Sequence, residues 1–84
     1  MDYPVKTPQQ LAQVFRGVRK DRGMTQAAVA ARTGSLQSKV SAFEADPGKA
    51  SVARLFRLLS VVGLELVLRD KTATSKTQRK RPEW

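Results

Sequence analysis

Apolar residues recur at intervals of three and four along most of the chain: Leu11, Val14, Phe15 and Val18; Val29 and Ala30; Val40 and Phe43; Leu55, Leu58, Leu59 and Val62. That interval is the period of a helix with one buried stripe. Punctuating residues divide the pattern into four pieces. Thr7 is placed as an N-cap, Pro8 at the first helical position, and Gln10 where a capping box takes Glu or Gln, which predicts a first helix over about residues 8–22. Its last turn holds Arg19, Lys20 and Arg22, cations that suit the negative end of the helix dipole, and Gly23 follows. Thr25 predicts the cap of a second helix ending at Thr33, where Gly34 can take the left-handed conformation that stops it. Ser35 is the expected cap of a third helix through Ala45. Asp46, Pro47 and Gly48 make a turn, and Ser51 caps a fourth helix running to Val62 before Gly63.

The period then changes. Leu64, Leu66 and Leu68 alternate with Glu65, Val67 and Arg69, the two-residue repeat of a half-buried strand. A lone strand leaves its backbone groups unpaired, so the expectation is antiparallel pairing with the same strand of a second copy about a two-fold axis. The predicted fold class is therefore all-α, with four to five short helices plus one C-terminal strand that pairs across a homodimer. Beyond Asp70 the stretch KTATSKTQRKRPEW loses apolar periodicity and carries five basic residues against Glu83 alone. The expected organisation is a helical and dimerising domain over residues 1–70 and a disordered basic tail over 71–84. Trp84 stands out in that tail, because it has no core to fill and aromatic anchors are frequent hot spots in partner pockets.

Composition narrows the functional classes. The 84 residues limit the chain to one small domain, and 16 Lys and Arg against 7 Asp and Glu give a formal charge of +9, which suits a polyanion. The absence of Cys and His removes disulfides, thiolate chemistry, the usual zinc sites and imidazole acid–base work. No nucleophile has a base and no phosphate loop is present, so the chain reads as a non-enzyme without metal or cofactor. The run VVGLELVL is interrupted by Glu65 and falls short of the roughly 20 residues that cross a bilayer. The opening MDYPVKTPQQ lacks the apolar core of a secretory signal. A cytoplasmic protein working on the nucleoid, with no membrane association, is the expectation.

The third helix displays Gln37, Ser38, Lys39, Ser41 and Ala42 between its core positions, whereas solvated faces usually carry long Glu and Lys side chains in (i, i+4) pairs. Two short helices joined by a tight glycine turn can set the second in a major groove. On that reading Gln37 matches the N6 and N7 atoms of adenine, and Lys39 reaches a guanine or a phosphate. Ser38 and Ala42 complete the base-contacting set. Thr25, Gln26 and Ser41, with Lys39, contact phosphates, the first two where a helix N-terminus offers backbone donors. Leu36 and Ala42 could also meet a thymine methyl, with packing or plain exposure as the alternatives.

These residues carry a resemblance. VRKDRGMTQAAVAARTGSLQSKVSAFE is similar to the phage-repressor helix-turn-helix family, the Cro-like or XRE type with the lambda-repressor-like fold, most specifically in GMTQ at 23–26, Val29 with Ala30, Gly34, and VSAFE at 40–44. The resemblance implies that Gln26 holds a phosphate and braces Gln37, and that Arg19 and Glu44 form a structural ion pair. The order of elements, TPQQLAQ near the start, FEADP, LELVLRD, and Glu83 with Trp84 further resemble the HipB-type antitoxins. That likeness implies a dimer that binds double-stranded DNA at a pseudo-palindromic operator, represses its own operon and holds a HipA-like kinase toxin, with Trp84 as the partner-binding residue. A stand-alone repressor without a toxin, or chiefly a protein-interaction inhibitor, remain the alternatives.

Overall fold

The computed structural model describes residues 2–70. The expected tail over 71–84, Trp84 included, lies outside the described residues. Four helices follow in order: α1 over Pro8–Asp21, α2 over Gln26–Thr33, α3 over Gln37–Ala45 and α4 over Val52–Val62, with a single 3-10 turn at Pro47–Lys49 before the last.

Local chemistry explains the helix starts. Thr7 is extended, and its hydroxyl accepts from the Gln10 N–H at 3.1 Å. The Gln10 side-chain carbonyl reaches back to the Lys6 N–H at 2.6 Å, so the reciprocal bond of the capping box lands one residue early. Thr25 and Ser51 cap α2 and α4 in the same way, accepting from Ala28 N–H at 3.0 Å and Arg54 N–H at 3.1 Å.

α3 differs. The Ser35 N–H is committed to the Ala30 carbonyl at 2.9 Å, closing α2 around left-handed Gly34 (φ 70°). Ser35 thus belongs to the turn, and the cap of α3 falls on Leu36, which makes no side-chain capping bond. An uncapped start forgoes about 0.5–2 kcal/mol relative to Ser, Thr, Asp or Asn at that position.

The helices close over one core. Phe15 and Val18 from α1, Val29 and Ala30 from α2, Val40 and Phe43 from α3, and Leu58, Leu59 and Val62 from α4 are all buried, with Leu11, Val14, Leu55 and Leu64 packed against them. The Phe15 and Phe43 rings meet edge to face, with centroids 5.2 Å apart and planes at 88°, which adds about 0.5–1.5 kcal/mol beyond the area they bury. This contact fixes α3 on α1 through the inner side of α3 and leaves its opposite side open.

The strand expected at Leu64, Leu66 and Leu68 is not formed. The described residues are all-α, and the anticipated sheet across a dimer falls with the strand. A strand exists through its ladder, and a two-residue alternation specifies only which side chains share a side. Here the Leu64 N–H bonds the Leu59 carbonyl at 2.8 Å, so Leu64 finishes the end of α4 and rests half-buried on the core. Leu66, Val67 and Leu68 are exposed, Leu68 at 91%, so the two sides of the segment do not divide into a buried and a wet face. Arg69 pairs with Asp2 at 2.9 Å through side chains, both exposed, a contact that contributes little in water.

Gly63 is required where α4 stops. It holds φ 84°, and the Arg22 guanidinium, donating to the Val62 carbonyl, occupies the space a Cβ would take. Gly63→Ala is expected to destabilise the domain by about 1–2 kcal/mol, the cost of a left-handed L-residue, plus the displacement of Arg22. Urea unfolding of the two proteins measures it, and equal midpoints would count against the assignment. No helix of the described residues is long and apolar enough to cross a membrane.

Candidate nucleic-acid interface

α3 is two-sided. Val40 and Phe43 are buried, while Gln37, Ser38, Lys39, Ser41 and Ala42 are all exposed. The structure therefore brings five of the sequence-derived contact residues together on the open side of one helix. Leu36 immediately precedes them and is 67% exposed. Short polar groups of this kind can donate and accept at close range, and an exposed lysine adds charge.

α2 supplies the second part. Thr25 is exposed and caps the helix, and Gln26 opens it. The Thr25 hydroxyl satisfies the Ala28 N–H, and the Thr25 carbonyl accepts from Val29. The N–H groups of Gln26 and Ala27 have no intrahelical acceptor, so the positive end of the dipole is left open to an anion.

Glu44 ties the two parts to α1. Its Oε2 accepts from Arg19 Nε at 2.7 Å, and its Oε1 accepts from Arg19 Nη2 and from Gln26 Nε2, each at 3.1 Å. Both side chains of the ion pair are only 8% exposed, and Arg19 Nη1 donates to the Met24 carbonyl at 2.9 Å. The bidentate fork fixes both the spacing and the rotation of α3 against α1, and it also orients Gln26. The Gln26 amide is thus braced by Glu44.

One cation escaped the sequence reading. Arg16 Nε lies 4.0 Å from Glu44 Oε1 on a side chain that is 60% exposed. Its spacing of three from Arg19, which places both on one side of α1, was the available signal. Arg22 is committed to the end of α4, as described above, and no sequence pattern announced that. Leu64, Leu66 and Leu68 contribute no ladder to the site.

A helix-turn-helix family model matches residues 15–68, which spans α2, the glycine turn and α3. The antitoxin HipB of Escherichia coli strain K12 is 30% identical over 82 residues, covering 95% of this chain and 93% of that protein. The chain belongs to the HipB-type antitoxins of the helix-turn-helix family. Solved structures of HipB superpose on it along nearly their whole length. One is a HipB–O4 20mer complex, and another is a HipA–HipB–O2–O3 complex. Each aligns with a TM-score of 0.79 at 30% identity, covering 83% of this chain and 99% of the other.

Proposed function

We propose that this chain is a sequence-specific DNA-binding repressor that serves as the antitoxin of a HipA-like kinase and represses the operon encoding both. The observation that carries the reading is the exposed row Gln37, Ser38, Lys39, Ser41 and Ala42 on a helix locked from behind by Phe43 and Glu44. It is supported by a HipB relative of nearly equal length and by the similarity to HipB in a HipB–O4 20mer complex and in a HipA–HipB–O2–O3 complex. In this role Gln37, Ser38 and Ala42 face base edges, and Lys39, Ser41, Thr25 and Gln26 meet the phosphates that set register. Arg19 and Glu44 hold the two helices at the spacing the groove requires.

A second copy of the chain completes the reader. Val52 and Phe56 are exposed on α4, and Leu66 and Val67 follow in the exposed segment. These apolar groups offer a surface for two-fold association, and a symmetric pair would read two half-sites about one helical turn, roughly 34 Å, apart. Trp84 is assigned to the toxin, because an aromatic in a polar tail is a common anchor for a partner pocket. The expected place of work is the cytoplasm, at the DNA.

The full-length chain, tagged at its N-terminus, is to be incubated with random duplex DNA and the bound fraction sequenced. A single enriched site with internal two-fold symmetry is expected, and an unenriched pool would overturn the DNA half. For the toxin half, the same protein is captured from its native cells after nuclease and a high-salt wash. A kinase-fold partner in stoichiometric amount is expected, lost on deletion of Glu83 and Trp84. Recovery of the bait alone would reduce the reading to a repressor without a toxin.

A further inference from the structure

Leu36 has no structural work that explains it. It sits at the N-cap of α3 in extended backbone (φ −90°, ψ 149°), makes no capping bond and is two-thirds exposed, so the core does not need it and the helix would start better with a hydroxyl there. The other large apolar residues that are exposed among the described residues, Tyr3, Val52, Phe56, Leu66, Val67 and Leu68, belong to the N-terminal arm, to α4 and to the segment after it. Leu36 alone of this group adjoins the polar row of α3.

We infer that Leu36 is a specificity-determining residue that reads the 5-methyl group of a thymine in each half-site. The inference rests on the DNA-binding reading above. Base edges in the major groove are polar except at one place, the thymine methyl, and the N-terminal end of a reading helix is the part that meets base edges. An isobutyl group at that end can make no hydrogen bond, so it discriminates by apolar contact. Against a methyl it buries apolar surface on both sides. Against the N4 amine of cytosine or the N6 amine of adenine it removes water from a donor and gives no acceptor in return. Leu36 thus favours thymine and disfavours its replacements through one side chain, while Gln37 beside it works through hydrogen bonds.

The probe is the duplex enriched by the full-length chain, remade with each thymine in turn replaced by deoxyuridine, which removes the methyl and keeps the pairing. The wild-type protein is expected to lose affinity about fourfold per half-site at one symmetry-related thymine, the effect of one buried methyl-sized group. Leu36→Ala is expected to bind thymine and deoxyuridine duplexes alike there, as is Leu36→Ser, whose hydroxyl can cap α3 and keeps the fold intact. Gln37→Ala should retain the methyl dependence. Wild-type indifference to every deoxyuridine, or the same dependence in both Leu36 variants, overturns the inference while leaving sequence-specific binding in place. A selection that enriches no site overturns the DNA reading and this inference with it.

Discussion

Glu44→Ala is expected to lower the unfolding free energy by about 3–5 kcal/mol, the effect of leaving a buried charge without its partner. Arg19 is the buried partner. With Glu44 gone it keeps only the Met24 carbonyl, on a side chain that is 8% exposed. A domain of this length has on the order of 4–13 kcal/mol in all, so the variant should be largely unfolded well below the wild-type melting temperature. The cause can be separated from simple loss of packing. Replacing both partners with apolar residues of similar size, Arg19→Met with Glu44→Leu, removes the orphaned charge and should recover most of the loss. Urea midpoints of the three proteins measure this, and a Glu44→Ala midpoint equal to wild type would remove the ion pair from the account of the fold.

Affinity for the selected DNA is expected to fall about a thousandfold to a hundred-thousandfold between roughly 50 and 200 mM salt, as for proteins that neutralise six to ten phosphates. The +9 charge supplies the cations, but they do not contribute equally. Arg19 is neutralised by Glu44 and Arg22 is bound to the Val62 carbonyl, whereas Lys39 is exposed on the open side of α3. Lys39→Ala should therefore weaken binding to all sequences and reduce the log–log salt slope by about one per site occupied. Gln37→Ala should leave the slope unchanged and relax preference at one base by about 1–3 kcal/mol. Fluorescence anisotropy across salt concentrations gives both numbers. A shallow slope with no preference among sequences would instead mark a protein-interaction module.

The helices were legible because each has a local cause. Thr7, Thr25 and Ser51 are caps whose hydroxyls reach backbone donors three residues on, and Gly34 and Gly63 take the left-handed conformation at helix ends. The polar row on α3 could be read for the same reason: once Val40 and Phe43 face the core, helical spacing puts Gln37, Ser38, Ser41 and Ala42 elsewhere. The failures come where a residue has two possible uses. Ser35 looks like a cap, but its N–H is needed to close the preceding helix, and sequence does not say which demand wins. Leu64, Leu66 and Leu68 alternate as a strand would, yet alternation carries no information about a backbone partner. The bond from Gln26 to Glu44 joins residues 18 positions apart, and only the packing of α2 on α3 brings them together.

The unequal ends of α3 have a kinetic consequence. At its C-terminal half Glu44 and Phe43 anchor the helix to α1, while at its start no side chain caps the first turn and the earliest carbonyl bond is the short-range one from Lys39 N–H to Leu36. Local opening should therefore begin at Gln37 and run toward Phe43, so amide protons at the N-terminal end exchange with solvent long before those at the anchored end. An end that unwinds and rewinds quickly can sample base edges and be released from wrong ones without any movement of the core behind it.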